Sequence, residues 1–419
     1  MSTGRRQCSR PRAKSRPKAA SALGALLVPL AVTLAMQTLV AFAIYSAPVM
    51  APVAARALGL PASAVGYYIA AAYLGSMLSS AAAGGWVARF GPIRVSQAGL
   101  VLCLAGLSLA ATGWTPLVVL GAFVTGAGYG PTTPASSVIL ARATPPSMYA
   151  LIFSIKQTGV PAGGVLAGAL VPALVLALGW QVAALAIGAA CLATAVLAAP
   201  MRARYDVGLN PSAPVSMRAA FAPVSLVAHA PRLRELAVTG FVFGGVQITL
   251  VTYLVSFLVD GFGRSLVAAG AIMAVSQASS VVGRIVWGAI ADRAITRRAM
   301  LGLLGIGMGG SAIATLAAGP AWPASVLFTF AAVFGATAVG WNGVFLAEVA
   351  RVAPAGQVSQ ATGGCLFFTF MGVVVTPIAF NALLALGAGY AVAYALLGLP
   401  GIALGVRMLL RSPGYNRSR

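Results

Sequence analysis

The stretch Gly288-Ala289-Ile290-Ala291-Asp292-Arg293-Ala294-Ile295-Thr296-Arg297-Arg298 gathers one carboxylate and three guanidinium groups between two long apolar runs. Residues 266–291 carry a single charge, Arg284, and residues 299–318 carry none. A hydrocarbon core about 30 Å thick needs roughly 20 apolar residues per helix, so the stretch reads as a short polar turn joining two membrane helices. The same alternation runs the length of the chain. Of its 27 Lys and Arg, 23 fall at alternate breaks: seven before residue 20, then Arg89 and Arg94, Arg142, five from Arg202 to Arg234, the trio quoted above, Arg351, and four from Arg407 onward. Only Arg56 and Arg264 fall at breaks of the opposite set, while Lys156 and Arg284 lie inside apolar runs. Because the Lys/Arg bias of short loops fixes which helix ends stay in the cytoplasm, both termini are expected there, in a multi-pass protein of the inner (plasma) membrane.

Composition narrows the class further. With 60% apolar and 8% charged residues, the chain departs from soluble domains, in which about a quarter of residues are charged. Its net charge of +22 has a sufficient cause in topology. Without a basic face interleaved with aromatics it does not point to nucleic acid; the basic tail suits anionic membrane lipid instead. Cys8, Cys103, Cys191 and Cys365 show no CxxC spacing, so no disulfide framework is expected. One histidine, His229, and five scattered carboxylates offer no group of three or four metal ligands. No phosphate-binding G-x-x-x-x-G-K-[ST] occurs, and no cofactor is expected. A catalytic cluster is also missing, which argues against an enzyme. The apolar run 23–49 far exceeds the about 7–15 residues of a signal-peptide core and reads as the first membrane helix.

Twelve apolar segments follow from the Gly, Pro and charge breaks: residues 23–49, 64–88, 95–114, 117–140, 147–178, 180–199, 236–259, 266–291, 299–318, 321–350, 358–386 and 388–410. The breaks include Leu60-Pro61, Phe90-Gly91-Pro92, Pro145-Pro146, Gly319-Pro320 and the turn from Ala353 to Gly356. A long polar interval, residues 201–235, divides the segments six and six. The expected organisation is a basic tail (1–22), a six-helix bundle (23–200), a cytoplasmic linker (201–235), a second six-helix bundle (236–410) and a short tail (411–419). Pro211 and Pro214 favour irregular backbone early in the linker, and residues 215–236 suit a surface helix with its arginines toward lipid headgroups.

The two halves carry traces of a repeat. Gly84-Gly85-Trp86-Val87-Ala88-Arg89 resembles Gly288-Ala289-Ile290-Ala291-Asp292-Arg293, Ala141-Arg142-Ala143-Thr144-Pro145 resembles Ala350-Arg351-Val352-Ala353-Pro354, and mid-span Gln37 matches Gln247, all at nearly one offset. Internal repeats of this kind build many transporters.

On these residues the chain resembles the major facilitator superfamily of transporters. Gly288-x-x-x-Asp292-Arg293-x-x-x-Arg297-Arg298 is similar to the family signature G-x-x-x-D-R-x-G-R-R/K, with Ile295 in place of the glycine. The first-half copy, Gly84-x-x-x-Ala88-Arg89-x-Gly91, lacks the aspartate. Thr158-Gly159-Val160-Pro161-Ala162-Gly163-Gly164 is similar to the family's antiporter motif G-P-x-x-G-G, with the proline displaced by one. The resemblance implies an all-α membrane fold of twelve helices in two pseudo-symmetric bundles around a central cavity. It also implies a charge network at the loop ends that favours one arrangement of the bundles; Asp292, Arg293, Arg284, Arg89, Glu348 and Arg351 are its candidate gating residues. Capping and anchoring of helices is the alternative role for Asp292 and Arg293, and Glu348 with Arg351 reads as a local pair.

Lys156 is the candidate substrate contact. It sits about nine residues into the fifth segment, roughly 13 Å deep at 1.5 Å per residue, and no acid precedes Asp206. Burying an ammonium there is expensive unless it faces a wet cavity or a partner. A substrate-facing position, snorkelling to the cytoplasmic surface and a bond to carbonyls freed near Pro161 are all open from sequence. Gln37, Tyr45, Tyr129, Gln157, Gln247, Tyr253, Gln277 and Asn342 are the polar groups at comparable depth, each of which also suits an interhelical hydrogen bond. Arg284 suits either a second anion contact or the Asp292 network. The expected function is a monomeric secondary-active permease for a small organic anion such as a carboxylate; the alternative is efflux of drugs or hydrophobic compounds on the same scaffold.

Overall fold

In a computed structural model, residues 19–144, 152, 155–213, 222–354 and 357–410 are described. The Pro145-Pro146 break, Gly356, Cys8, residues 1–18 of the basic tail, residues 214–221 of the linker and the tail 411–419 lie outside them.

The described chain is helical throughout. In the first half α1 is Ala19–Ala57, α2 Val65–Phe90, α3 Pro92–Ala111, α4 Thr115–Tyr129, α5 Thr132–Ala143, α6 Gly159–Leu178 and α7 Trp180–Leu197. Two short helices, α8 (Arg202–Tyr205) and α9 (Ala222–His229), precede α10 (Pro231–Ser256), which continues as one π-helical turn through Phe257–Gly261. The second half continues with α11 (Leu266–Arg293), α12 (Arg297–Ala314), α13 (Ala324–Ala338), α14 (Asn342–Val352), α15 (Val358–Ala385) and α16 (Tyr390–Leu410). Ten segments are long and apolar enough to cross a membrane. The second and fourth helical passes, α2 and the α4–α5 pair, complete the order.

The fourth and tenth passes, read from sequence as continuous, are each broken. Gly130-Pro131 separates α4 from α5, and Gly340-Trp341 lies between α13 and α14. Pro131 has no N–H to give the preceding turn. Gly340 has no room for a side chain, since a Cβ there would lie 2.2 Å from the Ala336 carbonyl.

Packing repeats between the halves. In the first, α1 runs along α6, α2 along α4 and α3 along α7; in the second, α10 runs along α15, α11 along α13 and α12 along α16. The register repeats as well. Gly126 meets the Ala72 carbonyl and Gly335 meets the Ser276 carbonyl, and these contacts keep the spacings of the sequence matches: Ala72 to Ser276 as Gly84 to Gly288, Gly126 to Gly335 as Arg142 to Arg351. Small residues let helix backbones approach where apolar burial gives no drive within lipid. The halves are thus two pseudo-symmetric bundles, joined mainly by α6 on α11 and by α2 on α15.

That junction is tight at the end away from the chain termini. A Cβ on Gly168 would lie 2.4 Å from the Gly270 carbonyl, and one on Gly66 would fall against the Tyr253 hydroxyl. Tyr253 donates to the Pro377 carbonyl at 2.7 Å and stacks on Phe380 with centroids 4.0 Å apart.

The start of the linker is fixed to the first bundle. Asp206 accepts from the Ile93 N–H at 2.8 Å and the Arg94 N–H at 3.2 Å, capping α3, whose own N-cap residue Gly91 has no side chain to do so. Gly91 has φ 95°, and a Cβ there would sit 2.4 Å from Asp206 Cγ. Arg142 donates to the Tyr205 and Val207 carbonyls, the Asn210 N–H to the Ala88 carbonyl, and Arg202 to Gln97. In place of the aspartate missing at Ala88, a carboxylate from the linker serves the same loop. Losing a cap costs about 0.5–2 kcal/mol. Asp206→Ala is therefore expected to lower the thermal unfolding midpoint in detergent by a few degrees, and an unchanged midpoint would mean the cap contributes nothing.

Candidate functional site

The break between α4 and α5 sets the site. It leaves Thr133 in the first turn of α5, where its hydroxyl donates to Gln37 Oε1 at 2.9 Å. The second half repeats the arrangement: Gln247 Oε1 accepts from Asn342 Nδ2 at 3.1 Å and from Trp341 Nε1 at 3.0 Å, beside the α13–α14 break. Both mid-span glutamines thus brace a broken helix inside their own bundle. Gln247 and Asn342, proposed from sequence as separate substrate contacts, are bonded to each other.

Lys156 stands one residue before Gln157 at the start of the span Ile155–Leu178. Its side chain turns inward and is 1% exposed. The ammonium donates to the Thr133 carbonyl and to Gln157 Oε1, both at 3.4 Å, the long limit for such bonds. From the other bundle, Arg284 Nη1 donates to the Gln157 backbone carbonyl at 3.1 Å. Arg284 also lies within electrostatic range of the Tyr45 and Tyr129 hydroxyls. One polar chain therefore runs Gln37, Thr133, Lys156, Gln157, Arg284, across α1, α5, the start of the fifth pass and α11.

This chain holds two cations and no acid. All five side-chain carboxylates are engaged elsewhere: Asp206 on α3, Glu235 with Arg298 at 2.8 Å, Asp260 with Tyr390 at 3.5 Å, Asp292 with Arg297 at 2.9 Å, and Glu348 with Arg351. Donors remain unused among the described residues. Gln37 Nε2, Arg284 Nε and both polar atoms of Gln277 are buried without a hydrogen-bond partner. Gln277 faces α6 at Gly164, where a Cβ would come 2.2 Å from its Nε2. Leaving such groups unmade costs about 1–3 kcal/mol each, an arrangement that suits a ligand.

The remaining candidates form no hydrogen bond to this polar chain among the described residues. Tyr129 packs edge-on to Tyr73 with centroids 6.1 Å apart, and the Tyr73 and Tyr45 hydroxyls are 3.4 Å apart. Tyr253 belongs to the far-end closure and its hydroxyl is committed to Pro377. Of the gating candidates, Arg284 does not join Asp292: it reaches across to Gln157, while Asp292 is taken by Arg297. Arg293 is exposed, Arg89 lies over the Phe90 ring, and Glu348 is held by Arg351 on α14. Thr133 was absent from the sequence candidates; its only signal there is the Gly130-Pro131 pair just before it.

Comparison with known proteins follows the same lines. A family model described as Major Facilitator Superfamily matches residues 33–363. The chain is 34% identical over 185 residues to the protein named "Probable nitrate/nitrite transporter NarK2" of Mycobacterium tuberculosis, a match spanning 42% of this chain and 43% of that relative. Among solved structures, the nucleoside transporter NupG aligns with a TM-score of 0.73 at 14% identity, covering 91% of this chain and 98% of that one. A POT family transporter in complex with 5-aminolevulinic acid aligns with a TM-score of 0.72 at 15% identity, covering 93% and 96%. At such identities these two likenesses concern the fold alone.

Proposed function

The chain belongs to the major facilitator superfamily, and from that premise we propose that it is a secondary transporter carrying a small planar oxyanion by alternating access, with Lys156 and Arg284 as the charged contacts. The observation that carries this reading is the buried cation pair joined through Gln157, in a chain whose carboxylates are all engaged elsewhere. A unit anion about 4 Å from one such cation gains roughly 4 kcal/mol at an effective dielectric of 20. Arg284 adds directionality, because a guanidinium matches paired oxygens. Gln37 Nε2 and Gln277 Nε2 would donate to the remaining oxygens.

Carboxylate, nitrate and nitrite share this planar oxygen geometry. The name of the mycobacterial relative favours the inorganic members of the set. Two like charges at the site disfavour cationic drugs. In operation the far end, now closed by Gly168–Gly270 and Gly66–Tyr253, would open as the opposite side closes around the bound anion. We further propose that the protein lies in the plasma membrane with both termini in the cytoplasm.

Reconstituted vesicles test this. Uptake of radiolabelled nitrite or a short carboxylate is expected to saturate and to be competed by the other planar oxyanions, with cationic dyes leaving it unchanged. Uptake of cations or neutral solutes only, with no oxyanion competition, would overturn the reading.

A further inference from the structure

A second cationic feature lies far from the transport site. At the terminus-bearing end of the second bundle, Pro231, Arg232, Arg234, Glu235, Val238, Leu404 and Arg407 line an open cavity of about 400 Å³ between α10 and α16. Glu235 is paired with Arg298 at 2.8 Å, and Arg407 approaches it at 3.9 Å. Arg232 and Arg234 are exposed and have no ion pair among the described residues. The cavity therefore keeps an excess of positive charge.

Its walls are graded by depth. Arg234 and Val238 are one turn apart on α10, and Leu404 and Arg407 one turn apart on α16, so they share a face on each helix. On both helices the arginine lies toward the terminus-bearing end of the bundle and the apolar residue one turn, about 5.4 Å, inward. Val238 is 48% exposed, which is ordinary for a side chain against acyl chains. A free phosphate would use only the cationic rim. A molecule with an anionic head and an apolar tail uses both levels.

We propose that this cavity is a binding site for an anionic phospholipid, with the headgroup phosphate held by Arg232, Arg234 and Arg407 and an acyl chain lying over Val238 and Leu404. Basic pockets between helices at headgroup level suit such lipids. The site is separate from the Lys156–Arg284 chain, so its standing does not depend on what the protein transports.

The test uses the full chain in detergent. Phosphatidylglycerol is expected to raise the thermal midpoint by about 5 °C more than phosphatidylcholine of the same acyl chains, and Arg232→Gln/Arg234→Gln is expected to remove at least half of that difference. An equal phosphatidylglycerol effect in the double variant overturns the assignment, as does a matched shift produced by inorganic phosphate. Should the variant fail to fold, photoactivatable phosphatidylglycerol on the unaltered protein decides: labelling at residues 231–238 and 404–410 supports the site, and labelling only elsewhere removes it.

Discussion

Lys156→Met is expected to lower oxyanion uptake by at least about tenfold while leaving the protein as stable as before, or more so. The two effects part because the ammonium is costly to the fold and useful to a ligand. It is 1% exposed, faces no carboxylate, and has two bonds at 3.4 Å. A buried ammonium with no acid partner is costly at membrane depth, and methionine of similar length removes that cost. An anion loses its charged partner at the same time, and about 1.4 kcal/mol already equals tenfold. Uptake and thermal unfolding measured on one preparation separate the cases. Full uptake would exclude Lys156 from binding, and a large drop in midpoint would make it a structural residue.

Gly168→Val is expected to be nearly as damaging to transport, by a different route. Its Cβ would meet the Gly270 carbonyl at 2.4 Å and the Ala274 backbone nitrogen at 2.7 Å, neither of which can swing aside as a side chain does. Overpacking of this kind costs about 1–3 kcal/mol, enough to move a two-state equilibrium by about 5- to 150-fold. The far end should then stay open. A Ser63→Cys reporter, at a position 8% exposed in the closed far end, should react faster with an impermeant maleimide when Gly168→Val is present. Unaltered labelling together with unaltered uptake would mean the α6–α11 contact does not govern closure.

Most of the fold was legible because lipid imposes it residue by residue: apolar length gives the spans, and charge gives the turns. The Gln37–Gln247 match placed two glutamines at equivalent points of the bundles, although as substrate contacts and not as the braces they form. Their bonds were hidden, since Thr133 and Asn342 sit on helices that approach only after folding. Of the two roles open to Arg284, the Asp292 network fails for the same reason. Counting along α11 places it below Asp292, whereas its direction is set by the Gln157 carbonyl of the other bundle. Asp206 lies more than a hundred residues from the α3 turn it caps, so no local pattern announces that bond. The breaks before Thr132 and Asn342 fall inside segments that read as uninterrupted helix, because hydropathy alone is blind to backbone register.

The stitching of residues 202–213 onto the first bundle shortens the tether between the halves. On its other side α9 is packed against α15 and α10, so in alternating access it would travel with the second bundle. Nine peptide links, from Ala213 to Ala222, join the two anchored pieces, and their contour can span only roughly 30 Å. By covalent length alone, the connection would act as a leash of fixed reach in such a motion. It would cap how far the bundles can swing apart at the end where the chain crosses between them.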